Sequence, residues 1–206
     1  MLEVRDLACE RGDVRLFSEL DFALGEGELL LVQGPNGSGK TSLLRLVAGL
    51  SRPAAGTIRW RGEPIAELRE AYSRELLFVG HANAVKEEFS ADENLAISLE
   101  LCGRRSSAAA RAAALERIGL ARRARLPARY LSQGQKRRVA LARLCLAEDF
   151  PLWILDEPFA ALDTRALATV VSLVDAHLER GGAVILTTHQ EVAIAARTQF
   201  SIVLEG

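Results

Sequence analysis

An α/β fold, with an antiparallel β portion at the N-terminus and an inserted helical subdomain, is predicted for this 206-residue chain by three observations. Short apolar runs bounded by Gly, Asp or Glu alternate with stretches of helical periodicity, which argues for a layered sheet. Two strand-like segments near the start, Leu2–Ala8 and Val14–Leu24, flank the turn Arg11-Gly12-Asp13 and read as edge strands. The interval from about Ala91 to Leu146 is rich in Ala, Leu, Arg and Glu and contains no convincing strand.

The remaining elements follow in chain order. Glu28–Gln33 (Glu-Leu-Leu-Leu-Val-Gln) is a nearly unbroken apolar run, as expected of a strand buried on both faces. A glycine-rich turn then opens a helix over Thr41–Gly49, apolar at helical spacing and closed by Gly49. Thr57–Trp60 and Leu76–Val79 are further short strands. Beyond the helical interval, Pro151–Asp156, Ala183–Thr188 and Phe200–Leu204 return to strand patterns, with a helix over Thr164–Arg180 between the first two. No internal repeat, low-complexity tract or linker marks a second unit. Residues 1–206 are therefore expected to form a single domain with a helical subdomain at about 91–146.

Composition removes several functional classes. Hydrophobic residues make up 49% of the chain, yet no stretch approaches the roughly 20 apolar residues needed to span a bilayer. The N-terminus carries acids early and reads as a first strand, not a signal peptide. A net charge of −1 gives no reason to expect a nucleic-acid partner, and the basic run Arg122, Arg123, Arg125 and Arg129 reads as a solvated face. Cys9, Cys102 and Cys145 have no metal-like spacing and suit inert thiols in a reducing compartment.

Chemistry is carried first by Gly34-Pro35-Asn36-Gly37-Ser38-Gly39-Lys40-Thr41, which fits GxxxxGK[ST] between a strand and a helix. Glycines let backbone N–H groups curl around a β-phosphate, and the helix N-terminus adds a favourable dipole. Lys40 reaches the β- and γ-phosphates, the Thr41 hydroxyl is placed for Mg²⁺, and Ser42 for a phosphate contact. The strand Leu152–Asp156 then delivers two carboxylates at its carboxyl end, where ligands bind in open α/β sheets. Asp156 is the candidate Mg²⁺ ligand. Glu157 is the candidate general base, a role commonly worth about 10²–10⁴-fold in rate.

Leu131-Ser132-Gln133-Gly134-Gln135 stands at the start of an apolar-periodic helix running through Val139, Leu141, Ala142 and Leu146. Together with the phosphate loop and the acidic strand end, it resembles the nucleotide-binding subunit of ABC transporters, a P-loop NTPase of the ABC ATPase type, over nearly the whole chain. The resemblance implies an ATP hydrolase in which two copies dock head-to-tail and sandwich two ATP molecules. Ser132, Gln133, Gly134 and Gln135 then complete the partner's site, and Gln133 stands where the family consensus has glycine. Asp163 of Ala161-Leu162-Asp163 lines the dimer seam, and His189 at the end of Thr187-Thr188-His189 is the switch histidine beside the γ-phosphate.

Two positions depart from the family pattern. Gly80-His81 follows the strand Leu76–Val79 where the family has glutamine, leaving His81 to touch Mg²⁺ or water, or to carry the link to a membrane partner. The aromatic that stacks on adenine is replaced by Arg11, whose guanidinium plane can also stack on a base. Phe17 is a possible substitute, although its position suits the core. Gly80-His81, Leu131–Arg138, Leu152–Phe159 and Ile185–Gln190 together are similar to the ATP-binding subunit of the haem exporter of bacterial cytochrome c maturation. That branch implies a peripheral subunit on the cytoplasmic face of the inner membrane, working with multi-spanning membrane subunits.

No C-x-x-C-H motif is present, so the chain itself is not expected to bind haem. Transport of another cargo is one alternative. A soluble ABC-type assembly ATPase is another, although the interval 91–146 is too short for the coiled coil of chromosome-type members.

Overall fold

The computed structural model describes residues 1–205. In chain order its elements are β1 (Leu2–Arg11), β2 (Val14–Leu24), β3 (Glu28–Gln33), α1 (Lys40–Val47), β4 (Ala55–Trp60), β5 (Glu63–Pro64), α2 (Ile65–Leu68), α3 (Glu70–Ser73), β6 (Leu76–Val79), α4 (Ala91–Leu101), α5 (Ala108–Arg117), α6 (Gln133–Leu141), β7 (Leu152–Asp156), α7 (Thr164–Glu179), β8 (Ala183–Thr187) and β9 (Thr198–Val203). The strands form two sheets. One is antiparallel in the order β2-β1-β4-β5, and the other is parallel in the order β6-β7-β8-β3-β9. This is the α/β class expected from the sequence.

One expectation requires correction. β1 is an interior strand, because β4 pairs with it from Leu2↔Trp60 to Ala8↔Ala55 on the side away from β2. The hairpin turn is legible as a local signal, but it carries no information about the far side of either strand. The short β5, α2 and α3 were not foreseen either, since two- and four-residue elements are too brief to show a period.

Period-2 alternation in the parallel strands sorts their side chains between two cores. In β7, Leu152 and Ile154 join one cluster while Trp153 and Leu155 join the other. In β8, Ala183 and Ile185 separate in the same way from Val184 and Leu186. The first cluster contains Leu43, Leu44, Leu46 and Val47 of α1 and the inner residues of the antiparallel sheet. The second contains Val170, Leu173 and Val174 of α7 together with the buried residues of α4, α5 and α6. β3, β6, β7 and β8 are thus covered on both faces, which is why they read as unbroken apolar runs, whereas the edge strand β9 packs only Phe200 and Ile202 on the α1 core.

Between 91 and 146 the described residues form helices, short 3-10 turns and loops, with only an isolated bridge, Ser90 to Pro127, at the start of this region. Ser90 caps α4 by accepting from the Glu93 amide at 3.2 Å, and the Glu93 carboxylate accepts from the Ser90 amide at 2.8 Å. The helical run begun by α6 continues as 3-10 geometry over Ala142–Leu146. Arg122, Arg123, Arg125 and Arg129 are exposed, and Phe17 is partly buried against the α1 core. Cys9, Cys102 and Cys145 are all free, and burial pushes the Cys145 thiol up to about 11.

His177 of α7 is only 2% exposed and lies parallel to the Trp153 ring, 3.9 Å between centroids and 7° between planes. Gly182 backs the imidazole so closely that a Cβ there would lie 2.2 Å from Nε2. Burial, helped by the nearby Arg180 cation, pushes the His177 pKa from 6.5 down to about 4, against a smaller opposing effect of the backbone at Ala183. The neutral form is therefore the folded form. Its contribution to stability is complete above pH 6.5 and is lost as pH falls towards 4. Urea unfolding at pH 7.5 and pH 5.0 is expected to show a loss of roughly 1–2 kcal/mol for the wild type. His177→Phe should lose measurably less over the same interval, and equal losses in both proteins would contradict the assignment.

Candidate active site

The parallel pairing brings the functional segments to one level. Asp156 of β7 lies opposite Thr187 of β8, and Thr187 lies opposite Val32 of β3. The segments that leave the carboxyl ends of β3, β6, β7 and β8 therefore meet on one edge of the sheet. They are the phosphate loop, Gly80-His81, Glu157 and Thr188-His189. A cavity of about 540 Å³ opens there, lined by Asn36, Gly37, Gly39, Lys40, Thr41, Ser42, His81, Asp156, Glu157 and His189, with Arg11, Leu16 and Ala160 completing the wall.

The phosphate loop is held by close backbone approach. Gly34 has φ +138°, and a Cβ there would sit 2.3 Å from the Leu204 carbonyl oxygen, so only glycine fits. Lys40 Nζ donates to the carbonyls of Gly34 at 2.8 Å and Pro35 at 2.9 Å. Ser38 Oγ is buried without a hydrogen-bond partner among the described residues. Gly39, with φ +97°, precedes α1 and leads into Lys40 at the helix start, where backbone N–H groups suit an anion. Phe17 packs against Gly39 and does not line the cavity, whereas the exposed Arg11 does.

Asp156 is 2% exposed, and both of its oxygens accept hydrogen bonds. Thr41 Oγ1 donates to Oδ2 at 2.8 Å, and Thr187 Oγ1 donates to Oδ1 at 2.7 Å. Thr187 Oγ1 also accepts from the Glu157 amide at 2.8 Å. The Thr41 hydroxyl and the Asp156 carboxylate are adjacent hard oxygen donors. Mg²⁺ takes such donors one or two at a time, completing its shell with phosphate and water, so these residues fit it.

Glu157 occupies a left-handed conformation with φ +50°, one that residues with a Cβ adopt sparingly. Its Oε1 is buried and accepts no hydrogen bond among the described residues. His189 Nε2 stands 3.4 Å from that oxygen, on a side chain more than half exposed. The Glu157 carboxylate lines this polar cavity, and a carboxylate so placed can take a proton from a water bound there. Backbone contacts come from Arg137, whose guanidinium donates to the carbonyls of Asp156 at 2.8 Å and Glu157 at 2.7 Å.

Ser132, Gln133, Gly134, Gln135 and Asp163 do not line this cavity. Ser132 caps α6 in a reciprocal box, accepting from the Gln135 amide at 3.2 Å while Gln135 Oε1 accepts from the Ser132 amide at 3.0 Å. A Cβ on Gly134 would lie 2.7 Å from the Ala161 carbonyl oxygen, so the helix start is packed directly on Ala161. Asp163 caps α7 through the Ala166 amide at 2.8 Å and lies 3.8 Å from Arg138. Ser132, Gln133 and Asp163 are exposed.

Sequence reasoning missed Thr187 and Arg137. Thr187 stands in the sequence only as part of the strand end leading to His189, though a hydroxyl at the end of an apolar strand is a usable signal. Arg137 falls within the segment Leu131–Arg138, where it sits between Lys136 and Arg138 and nothing local distinguishes it.

Residues 17–160 match the family model described as ABC transporter. The chain is 52% identical over 198 residues to the cytochrome c biogenesis ATP-binding export protein CcmA of Dechloromonas aromatica, covering 96% of this chain and 97% of that protein. It is 50% identical over 204 residues to the protein of the same name from Nitrosomonas europaea, covering 99% and 95%. Among solved structures, an ABC transporter ATP-binding protein from Pyrococcus furiosus superposes with a TM-score of 0.81 at 25% identity, covering 97% of this chain and 96% of that one. A dimeric post-hydrolysis ATP-binding cassette bound to ADP and Pi superposes with a TM-score of 0.79 at 25% identity, covering 92% and 88%.

Thr187→Val tests the network on shape-preserving terms. The substitution removes the donor to Asp156 and leaves the Glu157 amide without its acceptor, a loss expected to cost about 1–3 kcal/mol. Chemical denaturation measures it. A change below about 0.5 kcal/mol, the ordinary scatter of surface substitutions, would show that the two bonds contribute nothing.

Proposed function

The chain belongs to the ABC transporter family, and on that premise we propose that it is the ATP-hydrolysing subunit of an exporter complex that powers haem export or haem-chaperone release in cytochrome c biogenesis. The export role rests on the names carried by relatives about half identical over nearly the whole chain. The residue roles rest on one observation. The phosphate loop, Asp156, Glu157, His81 and His189 face one cavity, while Ser132, Gln133 and Asp163 stand exposed outside it.

ATP enters with its phosphates over Gly34–Thr41 and Ser42, and Lys40 exchanges the carbonyls of Gly34 and Pro35 for β- and γ-phosphate oxygens. Arg11 stacks on the base. Thr41 and Asp156 would hold Mg²⁺, with His81 a further candidate on the same cavity wall, and the ion would supply neutralisation of charge on the phosphate oxygens. A second copy docks head-to-tail, placing its Ser132, Gln133, Gly134 and Gln135 on the γ-phosphate side, with Asp163 at the seam. The Glu157 carboxylate then accepts a proton from the attacking water, and His189 orients that water against the γ-phosphate. The gain comes mainly from positioning and electrostatics.

Residues 1–206 act in this scheme as one ATP-binding domain, with the helical subdomain at about 91–146 moving the membrane partner. No helix among the described residues is long and apolar enough to cross a membrane. Multi-spanning subunits supply the path, and the chain sits peripherally on the cytoplasmic face of the inner membrane. It needs no haem ligand and no nucleic acid of its own.

Glu157→Gln is expected to bind ATP with unchanged affinity and to hydrolyse it at least about tenfold more slowly. The same variant, tagged and recovered from gently solubilised membranes with ATP, should bring cytochrome c maturation membrane subunits with it. Full turnover would remove Glu157 from its role. Recovery of a different permease, or of soluble proteins only, would overturn the export assignment while leaving the ATPase chemistry intact.

A further inference from the structure

Arg137 has no part in the scheme above, yet it is among the few buried charged residues of the protein, 4% exposed. It lies in the second turn of α6, the helix that begins beside Ser132. Its Nη2 donates to the carbonyl of Asp156 at 2.8 Å and to that of Glu157 at 2.7 Å. Its Nη1 donates to the Gly80 carbonyl at 2.9 Å and lies 3.4 Å from Asn83 Oδ1. One guanidinium thus joins three parts of the chain that are distant in sequence: the helix behind Ser132, the end of β7, and the segment carrying His81.

These bonds fall on both sides of a strained residue. Glu157 has φ +50°, and a non-glycine residue holds such a conformation only where the surroundings over-determine it. Thr187 takes the amide of Glu157 and Arg137 takes its carbonyl together with the preceding one. The backbone is therefore fixed at every polar group around the Glu157 Cα. Its side chain is left to extend into the cavity, with Oε1 unpartnered among the described residues. The planar fork of arginine supplies two donor nitrogens in fixed relation, which the point charge of lysine cannot reproduce.

We propose that Arg137 is a positioning residue that holds Glu157 in its strained, cavity-facing conformation and couples it mechanically to α6 and the Gly80–Asn83 segment. Displacement of the helix that carries Ser132 then shifts the carboxylate of the same subunit. The readiness of one site to hydrolyse becomes linked to how Ser132 is seated on the partner's nucleotide. The inference rests on the reading of Glu157 as general base.

The test uses the purified full chain with Arg137→Lys, Arg137→Met, Glu157→Gln and the double variant Arg137→Lys/Glu157→Gln. Steady-state ATP hydrolysis, affinity for a fluorescent ATP analogue and thermal unfolding are measured on each. Arg137→Lys should keep nucleotide affinity and KM within about twofold and lose at least about tenfold in kcat, the pattern of an interaction that acts on the chemical step. Added to Glu157→Gln, it should lower the residual rate by less than about threefold, because groups acting as a unit are not additive.

Arg137→Met should follow the same split with a larger loss. Wild-type kcat in Arg137→Lys, or an equal proportional loss in both backgrounds, would overturn the positioning role. Loss of cooperative unfolding in both Arg137 variants would reduce Arg137 to a structural residue. Wild-type turnover by Glu157→Gln alone would instead defeat the general-base reading, and is read independently of either Arg137 variant.

Discussion

A buried carboxylate must have its oxygens satisfied or it costs several kcal/mol, and the arrangement of this protein follows from how Asp156 meets that demand. Its two oxygens accept from Thr41 at the start of α1 and from Thr187 at the end of β8. Those bonds hold the strand that ends in Asp156 level with the strand that ends in Thr187, and they fix the phosphate loop against both. Leu152, Trp153, Ile154 and Leu155 behind it are fully buried, so β7 cannot slide to relieve a lost bond without exposing core. Thr187 then extends the constraint by one peptide, accepting from the Glu157 amide. A single requirement of electrostatics thereby aligns the phosphate loop, Thr41, Asp156 and Glu157.

The parallel sheet also separates two tasks. One face packs on α1 and the antiparallel sheet, and this core backs the phosphate loop. The other packs on α7 and the helical subdomain in a continuous cluster running from Leu29 through Leu95, Leu115 and Val139 to Leu186. Close-packed interiors transmit displacement instead of absorbing it. The helix capped by Ser132 is packed into the subdomain core, while Gly134 seats its start on Ala161, four residues beyond Glu157. The helix capped by Ser132 and the backbone at Glu157 are joined through packing as well as through hydrogen bonds.

Much of this was legible in the chain itself. The boundaries of β2, β3 and β6 agree with the residues expected for them, because apolar runs ending at Gly, Asp or Gln mark where a buried strand must stop. The phosphate loop, the acidic strand end and the serine-capped helix carry their chemistry in residue type and spacing. What stayed hidden depends on partners far away in sequence. β1 is interior because β4 returns to it across more than forty residues, and no turn signal records that. Arg137 is an arginine in a basic stretch until the carbonyls of Gly80, Asp156 and Glu157 are folded around it. The irregular segment between β8 and β9 is rich in Ala, Val and Ile, composition that suits a helix as well as a loop, so local propensity could not decide it.

On the proposed function, one chain holds Glu157 and the phosphate loop of a site whose remaining contacts come from a second copy. The direct measurement is a crystal structure of Glu157→Gln grown with ATP and Mg²⁺, with sedimentation of the same sample. The account predicts a two-fold dimer that forms only with nucleotide, each ATP lying between Gly34–Thr41 of one subunit and Ser132–Gly134 of the other. A nucleotide-loaded monomer, or a dimer in which Ser132 lies far from any phosphate, would contradict it.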